Sequence, residues 1–127
     1  MSSYIKRLIV TYLSDGTITK GQAVKIGSDK SHVTKCTAAT DRAIGLAQHD
    51  ALVGEPIEVA HPGGGGAGVA GAAISAGNLL GFNTDGDLVK VANASDIVIA
   101  QALEDAADND IFGVQVIGPF QATAAQS

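Results

Sequence analysis

One feature limits the possible folds more than any other: the chain carries the same pattern twice. Residues 16–26, GTITKGQAVKI, align with residues 72–82, AAISAGNLLGF. Ile18 then meets Ile74, Gly21 meets Gly77 and Val24 meets Leu80, each 56 positions apart. Residues 33–59 align in the same way with 88–114. Val33 meets Leu88, Lys35 meets Lys90, Asp41 meets Asp96, Ile44 meets Ile99, Asp50 meets Asp105 and Val59 meets Val114, now 55 apart. The offset changes between GSDKSH (27–32) and NTDGD (83–87), two stretches rich in turn-forming residues. An insertion in a turn is tolerated, whereas one inside a strand would move every side chain to the wrong face. The alignment therefore behaves as an internal duplication of one small motif.

Each copy parses into short Val- and Ile-rich runs bounded by Gly, Asp and Asn, the signature of strands. In the first copy strands are expected at 17–19, 23–27, 32–36, 43–48 and 56–60. In the second they are expected at 73–75, 79–82, 88–92, 97–102 and 111–117. Asp85-Gly86, between LLGF and LVKV, signals a hairpin. The segment ALEDAADND (102–110) has helical composition, but its counterpart AQHDALVGE leads into Pro56, so one helical turn is the most it can hold. The expected fold is all-β: a compact barrel or sandwich of short strands built from two tandem repeats, with an extended N-terminal arm. Residues 1–15 form that arm or a first strand, 16–60 the first repeat, 61–71 a glycine-rich connector, 72–117 the second repeat, and 118–127 a flexible tail. One compact unit is favoured over two lobes, because a copy of about 55 residues with few aromatic side chains makes a thin core.

The connector HPGGGGAGVAG contains Gly66-Ala67-Gly68-Val69-Ala70-Gly71, a literal match to the dinucleotide-binding pattern GxGxxG. That pattern holds a pyrophosphate only where the glycines end a strand and open a helix. Here the following residues are the start of the second copy, with no helical period. A P-loop would need Lys followed by Ser or Thr, and Ala67 and Gly68 stand there instead. The stretch is expected to be a mobile connector or surface loop.

Other chemistry is sparse. The single cysteine, Cys36, has no partner within the chain and lies in an alternating run, as a buried small thiol does. His32, His49 and His61 do not recur as histidines in the second copy, so the copies do not repeat a metal site. Asn83, Asp85 and Asp87 resemble the start of a calcium loop but lack the later bidentate Glu, and they read as a polar turn. Asp50, Glu55, Glu104, Asp105, Asp108 and Asp110 are candidate paired carboxylates, but no accompanying catalytic group singles them out from solvated turn residues. No Ser/His/Asp set, nucleophile elbow or cofactor motif is present. The expectation is a protein that is no enzyme and needs no cofactor and no metal. A net charge of −5 argues against nucleic acid as a direct partner, and no apolar run approaches the length of a membrane span.

The repeat resembles the capsid cement, or decoration, proteins of tailed phages. In that family a unit of the form G-x-x-I-x-A-G-x-L, then Val or Leu, precedes a stretch of the form hIGhAhxxAxxGxxhxV, with h apolar. Here these are GAAISAGNLL (71–80), AIGLAQHDALVGEPIEV (43–59) and VIAQALEDAADNDIFGV (98–114). Thr19-Lys20 departs from the pattern in the first copy, and Asn109 replaces the glycine of the last turn. The resemblance, over about residues 16–117, implies a structural head protein on the outer face of the assembled shell. Its partners would be the major capsid protein and copies of itself, as trimers, made in the host cytoplasm and carried on the virion. The candidate contact residues are Tyr4, Ile5, Lys6, Arg7, Leu8, Ile9 and Tyr12, in the segment outside the repeat with apolar groups on both faces. The competing reading is a non-enzymatic carbohydrate- or surface-binding β module of a phage fibre or cell-surface protein. Such a module needs exposed aromatic platforms, and the sequence offers few aromatic side chains.

Overall fold

The computed structural model describes residues 9–122, which form ten strands and no helix. The first five are β1 (Ile9–Ser14), β2 (Ala23–Ile26), β3 (His32–Lys35), β4 (Gly45–Ala47) and β5 (Pro56–Ala60). They close into a barrel in the order β1-β3-β2-β4-β5. The last five are β6 (Gly65–Val69), β7 (Leu79–Phe82), β8 (Leu88–Lys90), β9 (Ile97–Ala102) and β10 (Ile111–Gln121). They form a sheet in the order β6-β10-β9-β7-β8. Its two outer strands touch through one parallel bridge, Ala70 to Leu88.

The all-β expectation holds, and the strand positions follow from the apolar runs. β5 and β10 alternate buried and open residues, so Ile57 and Val59, and Phe112, Val114 and Val116, point into the interior. The expected strands at 17–19 and 73–75 shrink to single bridges, Ile18 to Ala51 and Ile74 to Ala106. No helical turn forms at 102–110, because β9 takes Ala102 and Ala106 is held by its bridge.

The same backbone bonds occur in both halves at the spacing read from the sequence. The Gly21 N–H donates to the Ala47 carbonyl at 2.7 Å, and Gly77 to Ala102 at 2.8 Å. Asp50 Oδ1 accepts from the Lys20 N–H at 2.8 Å, as Asp105 Oδ1 does from Ala76 at 2.8 Å. Asp41 Oδ2 takes the Ala38 N–H at 3.1 Å, as Asp96 Oδ2 takes Asn93 at 3.2 Å. Gly54 and Asn109, at the same place in the two halves, both have positive φ, 82° and 71°. Asn is one of the few non-glycine types that enters that region readily, so the departure at Asn109 keeps the turn.

Two expectations need correction. The glycine-rich segment is no mobile connector: Gly65–Val69 is strand β6, antiparallel to β10. Nor do residues 9–14 stand outside the two-copy pattern. β1 pairs with β5 through Leu13 and Pro56, and β6 pairs with β10 through Val69 and Ile111. Residues 13 and 69, and 56 and 111, are separated by the offsets of the repeat. Glycines fill β6 because it is pressed between neighbours. A Cβ on Gly68 would lie 2.5 Å from Leu88 Cδ1, and one on Gly66 would lie 3.0 Å from the Gln48 amide and 3.1 Å from Ala60 Cβ. β10 also runs past the expected strand end at 117 to Gln121, where Phe120 and Gln121 pair with Val98 and Ile97. Residues 118–121 of the expected tail are thus a strand end, and 123–127 lie outside the described residues.

The two halves are welded together. Ala23, Cys36, Leu46 and Ala60 of the barrel share one buried cluster with Leu80, Phe82, Leu88, Phe112 and Val114 of the second sheet. The β7–β8 turn reaches into the first half, where the Gly86 carbonyl accepts the Ala23 N–H at 2.8 Å. The Gln22 amide beside it, 7% exposed, donates to the Asp85 carbonyl at 2.9 Å and to Asp87 Oδ1 at 3.1 Å.

Candidate functional site

Of the contact residues expected from the sequence, Tyr4, Ile5, Lys6, Arg7 and Leu8 lie outside the described residues. Ile9 and Tyr12 fall on β1, and the structure separates their roles. Ile9 is 41% exposed, and Val10 and Leu13 are exposed with it. Tyr12 instead packs against the cluster around Ile18, Val24 and Ile57. Its ring stacks on His61 at 5.8 Å between centroids, and its hydroxyl shares a 2.8 Å hydrogen bond with His61 Nε2. Burial raises the Tyr12 pKa and lowers that of His61, since both charged forms lose water. Tyr12 thus holds β1 to the start of the second half. β1 is paired from Ile9 to Leu13 along its β5 edge, while its pairing to β3 begins only at Leu13.

Further apolar groups that the sequence reading did not single out stand near the end of this strand. Leu52 is 60% exposed and Val53 is 69% exposed, in the turn between β4 and β5. The turn is fastened to β1: the Gly54 N–H donates to the Ser14 carbonyl at 2.7 Å, and the Ser14 N–H to the Glu55 carbonyl at 2.9 Å. Leu13 and Pro56 sit opposite each other in the ladder alongside. The signal was available in the pairwise alignment, where Leu52 and Val53 face Ala107 and Asp108. Leu103 and Ile111 are also exposed, at 60% and 50%, on the second half.

The side chains with chemical potential are committed to structure. Asp50, Glu55, Glu104, Asp105 and Asp110 each accept a backbone N–H, so they are turn fasteners. His49 Nε2 takes the Glu58 N–H at 3.1 Å, and Glu104 Oε2 does the same for Gly113 at 2.8 Å. Two different residue types therefore do one job in the two halves. Asn83 Oδ1 accepts the N–H groups of Asp85 and Asp87, at 2.9 and 3.1 Å. Burial and the nearby Asp41 push the Cys36 thiol up to about 12, far from a reactive thiolate. His32 and Asp29 pair on the surface at 2.7 Å; their mutual hydrogen bond raises the histidine's pKa and lowers the acid's to about 2.

The glycine pattern has no free amides to offer a phosphate. Gly66 and Gly68 are laddered to Val114 and Phe112 of β10; the N–H of Ala67 goes to Gln48 Oε1, that of Val69 to the Gly21 carbonyl, that of Ala70 to Asp110 and that of Gly71 to Leu88. A cleft of about 250 Å³ lies where the two halves meet, lined by Thr40, Arg42, Ser95, Ile97, Pro119, Phe120 and Gln121. It is smaller than the roughly 300–1,000 Å³ of typical small-molecule sites. Phe120 is the one exposed aromatic ring among the described residues, which leaves little platform for a sugar.

Charge is divided unevenly. Residues 9–60 carry five basic side chains against six acidic ones, whereas residues 61–122 carry only Lys90 against seven acids.

Set beside known proteins, residues 5–118 match the profile of a family described as phage cement protein. Among solved structures 14 chains match. One is the N base of head fiber gp8.5 of bacteriophage phi29, with a TM-score of 0.67 and 20% sequence identity over 94% of this chain and 97% of that one. At that identity the likeness concerns the fold. No curated protein sequence matches.

Proposed function

The chain belongs to the phage cement protein family, and from that premise we propose that it sits on the outer face of the head and ties neighbouring major capsid subunits together. It is a structural phage head protein that binds the capsid, and the match over residues 5–118 is the observation that carries this. The finer reading extends it. The protein works without catalysis, is made in the host cytoplasm, and gathers as trimers where shell subunits meet. Many modest contacts repeated over a symmetric shell give a large combined affinity with no deep pocket, and the small cleft and fastened carboxylates suit that mode.

Residues 4–9 serve as a contact segment toward the capsid protein or a sister copy. Two observations support this. Ile9 and Val10 are exposed apolar groups at the start of β1. The Ile9–Tyr12 stretch is laddered to β5 on one edge and reaches β3 only from Leu13 onward, so its other edge suits strand addition.

Cosedimentation with shells of the phage's major capsid protein, expanded and unexpanded, tests the reading. The full chain is expected to pellet with one or both shells and to run as a trimer in solution. A chain lacking residues 1–8 is expected to bind at least tenfold more weakly. Failure of the full chain to pellet with either shell overturns the capsid role. Equal binding by the shortened chain overturns only the contact segment.

A further inference from the structure

We propose that the β4–β5 turn of the first half, with Leu52 and Val53 at its tip, is the surface that seats on the capsid shell, while the matching turn of the second half faces water. This rests on the capsid-binding reading above and names the surface that performs it.

The two halves supply their own control. The turn at 51–55 and the turn at 106–110 are held by the same three bonds. The Leu52 N–H donates to Glu55 Oε1 at 2.7 Å, and Ala107 to Asp110 Oδ2 at 3.0 Å. Gly54 donates to the Ser14 carbonyl at 2.7 Å, and Asn109 to Ala70 at 2.7 Å. Ser14 donates to the Glu55 carbonyl at 2.9 Å, and Ala70 to Asp110 at 2.9 Å. Ala107 and Asp108 thus stand in a turn bonded in the same way as that of Leu52 and Val53. Folding does not require a leucine and a valine at 60% and 69% exposure. Apolar side chains kept in water where the fold accepts alanine and aspartate point to a partner that covers them.

Charge and continuity indicate which partner. Leu13, 39% exposed, and Pro56 extend the tip into a longer apolar strip at this end of the barrel. Asp50 and Glu55 accept backbone N–H groups here as Asp105 and Asp110 do at the matching turn, so the two turns differ in charge through Glu104 and Asp108, where the first has His49 and Val53. The acidic excess lies in the other half, whose turn carries Glu104, Asp105, Asp108 and Asp110. Exposed aliphatic groups flank both turns, Leu13 the first and Leu103 and Ile111 the second; what differs is the tip, Leu52-Val53 against Ala107-Asp108, and the charge of the half that carries it, so the first turn is the one that suits an apolar contact. The occupant for which the family provides is the shell.

The test uses the full chain and shells assembled from the phage's major capsid protein. Leu52→Ser/Val53→Ser is expected to weaken cosedimentation at least tenfold. Its thermal unfolding should stay within a few degrees of wild type, because both side chains are exposed. Ala107→Ser/Asp108→Ser, at the matching turn, should bind as wild type does. Leu52→Met/Val53→Ile, which keeps apolar surface, should bind within about threefold, which separates loss of contact from a misfolded turn. Wild-type binding by the serine pair at 52 and 53 overturns the proposal. So does a wild-type oligomer in shell-free solution that this pair dissolves while shell binding persists, since the tip would then join copies of the chain. If the wild-type chain itself ignores the shells, the capsid reading falls, and this inference with it.

Discussion

Gly21 and Gly77 show how one residue type answers two demands. Both sit at nearly the same positive φ, 89° and 90°. A Cβ on Gly77 meets nothing within 4 Å, whereas one on Gly21 would lie 2.4 Å from the Val69 nitrogen and 2.6 Å from the Gly68 carbon. Replacement by alanine should therefore separate backbone strain from the contact between halves. Gly77→Ala is expected to cost about 1 kcal/mol from φ alone. Gly21→Ala carries that cost plus a collision with backbone that cannot rotate away, roughly 3 kcal/mol or more in total. Urea unfolding of the two variants measures the difference, and equal losses would mean that β6 does not press on the first half as described. The shared glycine was visible in the aligned sequences, but what each glycine faces was not, because for Gly21 that depends on β6, a strand of the other half more than forty residues away.

At the scale of the element, the turns before β4 and β9 are each gathered by an aspartate. Asp41 Oδ2 accepts the N–H groups of Thr37 and Ala38 and pairs with Lys25 Nζ at 2.9 Å. Burial alone would raise its pKa, but these bonds and the lysine charge outweigh it and hold the carboxyl below its ordinary 3.8. A group whose folded pKa is depressed favours folding above the unfolded value, and that stabilisation disappears as pH falls through the folded value. Asp41→Asn is thus expected to lose about 1–2 kcal/mol at pH 7, mostly from the backbone bonds, and to show a shallower decline below pH 4. Chemical denaturation between pH 2 and pH 7 checks both. Eight of the ten strands were legible from Val- and Ile-rich runs between turns. β6 was not, because its side chains are almost absent: the usual strand signal is apolar bulk, and close approach between halves removes it. β1 was legible as an extended segment, but its equivalence to β6 was hidden because Ile-Val-Thr-Tyr-Leu and Gly-Gly-Ala-Gly-Val share a place in the ladder and little else. The exposed Leu52 and Val53 were hidden for the opposite reason: in a sequence with so many aliphatic residues, two more look like core until the structure turns them outward.

For the whole molecule, the shared cluster of Ala23, Cys36, Leu46, Leu80, Phe82 and Leu88 makes the halves one cooperative unit. Thermal unfolding followed by circular dichroism and by calorimetry is expected to show a single transition with matching midpoints. Two resolved transitions would mean that the barrel and the second sheet stand independently. The β7–β8 turn adds an ordering in time. The Ala23 N–H and the buried Gln22 amide find their acceptors only at Gly86, Asp85 and Asp87. A nascent chain leaves the ribosome from its N-terminus, so when residue 60 has emerged every strand of the barrel is present but the Ala23 N–H and the Gln22 amide still lack these acceptors. The first half therefore completes its buried hydrogen bonding only with the β7–β8 turn in place. A gene fragment ending between the copies would accordingly yield an unfinished vessel rather than a smaller version of the protein.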